Sequence, residues 1–122
     1  MLEEEYKKEY GDDLIEKLPD LFFDSGDYKT TRLRFWRLVT KLLSNNFTKQ
    51  VYDWCEERGL KFTGHMVCEE LMRSQLPSSG AVMPNYRYFH IPGMDCLGRV
   101  KIEKTTIYQL ASVAEQFGKE QV

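Results

Sequence analysis

The chain has 122 residues, room for one domain around one core. Its 42% apolar and 30% charged residues are the proportions of a soluble globular protein, and a net charge of −2, from 17 basic and 19 acidic side chains, gives no electrostatic case for nucleic acid. No window approaches the roughly 18 apolar residues of a membrane span, and Met1-Leu-Glu-Glu-Glu-Tyr6 lacks the basic start and apolar stretch of a secretory signal.

Residues 3–18 predict a helix, with Tyr6, Tyr10, Leu14 and Leu18 four apart. Glu3, Glu4 and Glu5 followed by Lys7 and Lys8 suit a solvated helix start. Gly11 is a weak point where the helix can break, and Leu18-Pro19-Asp20 ends it. Leu21-Phe22-Phe23 is a short apolar run before the turn cluster Asp24-Ser-Gly-Asp27. Thr30 or Thr31 caps the next helix, whose stripe is Trp36, Val39, Leu43, Phe47, Val51 and Trp54, widened by Phe35 and Leu42. Arg32, Arg34 and Arg37 at its start are solvated or paired. Ser44-Asn45-Asn46 is a candidate kink, and Gly59 sits where a terminating glycine belongs.

Leu60-Lys-Phe-Thr-Gly-His-Met-Val67 follows as a strand with Leu60, Phe62 and Val67 inward. Helix, glycine and short apolar run is the connection of a parallel α/β fold. One or two helical turns over Glu69–Gln75 precede a loop at Leu76-Pro-Ser-Ser-Gly80. Tyr86, Tyr88 and Phe89 lead into an extended segment at His90-Ile91-Pro92-Gly93-Met94-Asp95, where Pro92 argues against a regular central strand. Residues 102–117 form the last helix, capped by Thr105 or Thr106 and burying Ile107, Leu110, Ala111, Ala114 and Phe117, with Gly118 ending it.

Two strand segments for three helices make a poor independent parallel sheet. The expected fold is therefore α/β, a partial (β/α)8 TIM barrel of about three βα units forming one partial domain over residues 1–122. Exposed edges and helix faces of such a piece favour self-association.

The chemistry-bearing residues gather at the end of the first strand. His65, Glu69 and Glu70 arrive just past it, where ligands bind in α/β proteins. A glycosidase needs two carboxyl groups flanking the scissile bond, and adjacent Glu69 and Glu70 point in different directions. One of them can be the acid/base, with its partner on another strand. As an ordinary feature, Glu69-Glu70 is a solvated helix start favoured by the dipole. The run from Tyr86 to Asp95 places Tyr88 and His90 beside Arg87 and Asp95, a mix suited to a sugar face and its hydroxyls or simply to a packed loop. Asp24 belongs to the turn cluster. A metal set of His65, Cys68, Glu69 and His90 lacks a recognisable ligand spacing, so no metal and no cofactor is expected. Cys68 as a nucleophile with His65 or His90 needs a base at hydrogen-bond distance. Cys55, Cys68 and Cys96 form no paired framework and read as reduced core residues.

The run from Phe47 through Gly64-His65-Met-Val-Cys-Glu69 resembles the middle of a TIM-barrel glycoside hydrolase, of the bacterial group related to α-L-rhamnosidases and β-galactosidase-like enzymes. Tyr88-Phe-His-Ile-Pro-Gly-Met-Asp-Cys-Leu97 resembles the "His-Ile-Pro-Gly-hydrophobic-Asp" segment of the same proteins, and Gln109–Gly118 resembles the helix before a further strand carrying a Ser-Glu pair. The resemblance implies hydrolysis of O-glycosidic bonds by paired carboxylates without a cofactor. It makes Glu69 the acid/base and a carbohydrate the partner, with His65, Glu70, Tyr88, His90, Asp95 and Asp24 as substrate-binding candidates. Its second carboxylate falls beyond Val122, so the isolated chain is expected to be inactive. The alternative is a small non-catalytic α/β module that binds carbohydrate or a partner protein. Taken as complete, the chain reads as cytoplasmic, whereas a parent enzyme is periplasmic or secreted.

Overall fold

The computed structural model describes residues 1–95 and 104–120. Cys96 and the expected start of the last helix at residue 102 lie outside the described residues. The chain divides into two compact units, Met1–Val39 and Thr40–Val122.

In the first unit, α1 (Leu2–Tyr10) and α2 (Leu14–Phe22) replace the single predicted helix. The break falls at Gly11, whose φ of 76° is left-handed and whose N–H closes α1 on the Lys7 carbonyl at 2.8 Å. Asp13 then caps α2 by accepting from the Ile15 amide at 2.9 Å. Pro19 does not end α2 but lies inside it. Pro19 and Ile15 are both exposed, so water can take the Ile15 carbonyl that the missing N–H leaves unbonded. α3 (Tyr28–Leu43) starts before Thr30 and Thr31. Thr31 is buried inside it, and its hydroxyl bonds Asp20 and the Asp27 carbonyl rather than capping. Arg32 pairs with Asp24 and Arg34 with Asp12, as the paired alternative required. Tyr6, Leu14 and Leu38 supply the buried apolar side chains here.

The second unit takes the last turn of α3. A single π-helical turn, Ser44–Thr48, follows at the expected kink, and α4 (Lys49–Glu56) continues from it. Gly59, at φ 64°, ends this helix, with the Leu60 N–H reaching back to the Cys55 carbonyl at 2.9 Å. β1 is only Thr63–Gly64, and Leu60 and Val67 are exposed rather than inward. α5 (Met72–Ser79) occupies the predicted loop, with Pro77 again inside a helix and the affected Arg73 exposed. α6 (Val82–Tyr86), β2 (Ile91–Pro92) and α7 (Lys104–Phe117) complete it. α7 starts before Thr105 and Thr106, so neither caps it.

β1 and β2 pair in parallel, Thr63 opposite Ile91 and Gly64 opposite Pro92. The Phe62 carbonyl accepts from the His90 and Ile91 amides, and the Gly64 carbonyl accepts from Gly93 at 2.8 Å. Pro92 is tolerated because the chain next donates through Gly93, not through the residue that lacks an N–H. The observed fold is mostly helical with this small parallel sheet.

The core of this unit is Val82, Tyr86, Phe89 and Val113, flanked by Phe62, Met66, Met83 and Leu110. Phe62 stacks on Phe89 at 4.3 Å. The long-helix stripe differs from the prediction: Phe47 and Trp54 are 61% and 52% exposed, while Thr40, Ser44 and Thr48 are buried. The reason is close backbone approach. Thr40 accepts from the Ala81 amide, Ser44 donates to the Pro84 carbonyl, and Thr48 donates to Asn85 Oδ1, at 2.9, 2.8 and 2.9 Å. Only short hydroxyl side chains fill and satisfy so narrow a contact. In α7 the buried residues are Thr106, Val113 and Ala114, whereas Ile107, Ala111 and Phe117 are exposed. Val113 sets this face by packing on Val82, Tyr86 and Phe89, and beside it Gln75 bonds Gln109 at 3.2 Å.

Candidate functional site

The two parallel strands end side by side, and the segments leaving them carry the site. After β1 the chain makes a tight turn in which Cys68 adopts a φ of 57°. A left-handed residue other than glycine costs about 1–2 kcal/mol. Cys68 is exposed, not the core residue expected; Cys55 is buried as expected. The turn directs the next side chain inward, and Glu69 is only 1% exposed. It is therefore not part of a solvated helix start.

The Glu69 carboxyl is held on both oxygens. Oε2 accepts from the Tyr86 hydroxyl and from the Met66 amide, the latter at 3.3 Å. Oε1 accepts from the Asp95 amide at 2.8 Å. The carboxyl thus ties the turn after β1 to α6 and to the segment after β2. Its backbone is held as well, because Gln75 Nε2 donates to the Glu69 carbonyl at 2.7 Å. Burial pushes the Glu69 carboxyl above the ordinary glutamate value, and Glu70 adds to the rise. The Asp95 and Met66 amides and His65 oppose it without cancelling it.

His65 covers this carboxyl from outside and is 41% exposed. Its Nδ1 lies 4.0 Å from Glu69 Oε1, and its Nε2 lies 3.4 Å from Asp95 Oδ2. The ring stands between a buried carboxyl and one that is 35% exposed. Glu70 is partly exposed beside them. A buried carboxyl with a raised affinity for its proton, next to an imidazole, can act as a general acid.

The structure brings Glu69, His65 and Asp95 together and puts His90 and Tyr88 in another cluster. His90 precedes β2, at the amino end of the sheet, and is buried. Its Nδ1 accepts from the Phe62 amide at 2.9 Å, which puts the ring proton on Nε2, facing Glu56 Oε2 at 2.5 Å. The ring stacks on Tyr52 at 4.2 Å. These contacts join α4 to both strand starts. Tyr88 lies in the same cluster, bonded to Asn45 at 3.3 Å and 6.3 Å from the Tyr52 ring. Asp24 belongs to the first unit, where it pairs with Arg32 at 2.9 Å.

Two residues of the site escaped the sequence. Tyr86 entered only as one aromatic in a run, and its role depends on a side chain 17 positions away. Gln75 had no local signal at all. Among the described residues no group of three or more His, Cys, Asp or Glu side chains is arranged to hold a metal ion, and no helix is long and apolar enough to cross a membrane. Comparison of the chain with protein-family models, with curated proteins and with solved structures returned no match.

Proposed function

We propose that this chain is part of a glycoside hydrolase catalytic domain, a segment of a (β/α)8 barrel in which Glu69 is the acid/base acting on a carbohydrate. The observation that carries the proposal is the Glu69 carboxyl, buried and with a raised proton affinity, just past the carboxyl end of a parallel strand. A general acid benefits from a proton affinity above that of a free carboxyl, and burial raises that of Glu69. His65 and Asp95 line the exposed side, where a sugar hydroxyl would bind. The helical crossover between two parallel strands supports the barrel reading, and so do Phe47, Trp54, Val67 and Met72, all more than half exposed.

The second carboxylate of this mechanism comes from another strand of the barrel. The 122-residue chain alone therefore turns over little or no substrate. The test is cleavage of glycosides by the protein carrying this segment in its full reading frame, native against Glu69→Gln. Loss of about a hundredfold to ten-thousandfold is expected, greatest on substrates with poor leaving groups. Unchanged cleavage in the variant, or no glycoside cleaved by the native protein, would refute the proposal.

A second reading has its own observation. The Glu69 carboxyl is so fully occupied by Tyr86 and two amides that it can serve as a clasp between loops. The chain is then a non-catalytic α/β module binding a carbohydrate or a partner protein, with Phe47 and Trp54 available for contact. Sedimentation separates the two: a module is a monomer or a defined oligomer, whereas a barrel segment self-associates with rising concentration.

A further inference from the structure

Glu69 faces a problem that its burial creates. A general acid that gives up its proton must regain it from solvent, and this side chain is only 2% exposed. The titratable groups around it are Tyr86 from α6, Glu70 and His65 from its own turn, and Asp95 from the segment after β2. From α5, Gln75 faces its backbone and is neutral. Tyr86 is itself fully buried and already donates to Oε2. Glu70 and Asp95 also reach solvent, but His65 is the group whose ring lies between the Glu69 carboxyl and the Asp95 carboxyl.

We propose that His65 is the proton route of Glu69, carrying protons between solvent and Oε1, with Asp95 steering the outer nitrogen. This rests on the general-acid reading of Glu69. The ring presents a different nitrogen to each carboxyl, Nδ1 at 4.0 Å from Glu69 Oε1 and Nε2 at 3.4 Å from Asp95 Oδ2. The step balances simply. A proton from water, or from the Asp95 carboxyl, adds to Nε2 and makes the ring cationic. The Nδ1 proton then passes to the Glu69 carboxylate, leaving a neutral ring with its proton on Nε2. Exchange with water, which takes the Nε2 proton and returns one to Nδ1, restores the starting tautomer. The closing movement is small, since about 1 Å brings Nδ1 within hydrogen-bond reach of Oε1.

The test needs no turnover. With carboxyl-¹³C glutamate, the Glu69 carbon is followed through its titration and its proton-exchange rate is measured at the midpoint by relaxation dispersion. His65→Gln strips no buried group from the fold, and Asp95→Asn keeps the backbone amide on Oε1. Exchange should slow by about tenfold or more in His65→Gln, less in Asp95→Asn, and recover on adding free imidazole. Restoration by a soluble base is something a merely structural histidine would not give. Exchange within twofold of native in a folded His65→Gln, or slowing that imidazole does not reverse, overturns the route. If Glu69 instead titrates in the ordinary glutamate range in the native chain, the general-acid reading itself fails. The two failures are therefore distinct.

Discussion

Replacing Tyr86 by Phe removes one oxygen from the centre of the site and leaves the ring in place. The ring packs edge-on against Phe89 at 5.5 Å, so the loss is confined to the hydroxyl. That hydroxyl donates to Glu69 Oε2 and accepts from the Met66 amide at 3.2 Å. Met66 keeps Glu69 Oε2 as an acceptor at 3.3 Å, so its amide is not orphaned. Glu69 Oε2 is then left with that one long bond. A hydrogen bond to a charged group is worth about 1.5–3 kcal/mol, and a neutral one about 0.5–1.5 kcal/mol. The substitution should therefore cost about 2–3 kcal/mol where Glu69 is ionised and about 1 kcal/mol where it is protonated. Urea unfolding on the acid and on the alkaline side of the Glu69 titration reads both values, with unchanged slopes if the denatured state is unaffected. A penalty that is equal on the two sides of that titration, or below about 0.5 kcal/mol on the alkaline side, would refute the assignment of Tyr86 as the donor to the Glu69 carboxyl.

Glu69→Gln should flatten the pH dependence of stability. The folded-state carboxyl binds its proton more tightly than the unfolded one, so its contribution is fully present below the ordinary glutamate value. That contribution is lost as pH rises through the folded-state value. The native protein should weaken across that window while the variant does not, as thermal melts at several pH values will show. Gly80→Ala should cost about 3 kcal/mol or more in urea unfolding. Gly80 has a φ of 69°, and an added Cβ would lie 2.5 Å from Thr40 Oγ1 and 3.0 Å from Thr40 Cα. Cys68→Gly should raise the melting midpoint, since it relieves a left-handed residue worth about 1 kcal/mol at an exposed position.

Local physics was legible in the residues. Gly59 and Gly118 stop helices because a left-handed residue there costs glycine little. The helix–glycine–strand order around Gly59 announced a parallel pair, and β1 and β2 form one. The cluster of His65 and Glu69 stood out because polar groups follow a strand end. What misled was also local. Pro19 and Pro77 looked like breaks, yet each costs only one hydrogen bond where the affected carbonyl belongs to an exposed residue. The apolar period pointed to Phe47 and Trp54, while the buried face is Thr40, Ser44 and Thr48.

By itself, then, the sequence determined that helices stop at Gly11, Gly59 and Gly118, that two short strands run parallel, and which residues carry chemistry past the first of them. Those features depend on neighbours within about one helical turn, through capping, backbone preference and periodicity. The tertiary structure alone decided that Glu69 is buried, that Tyr86 and the Asp95 amide hold it, and that His65 joins it to Asp95 while His90 stays at the other end of the sheet. Each of those contacts except the His65–Glu69 approach spans 17 or more positions. A carboxyl's proton affinity follows from what surrounds it, and those surroundings exist only once the distant segments have met.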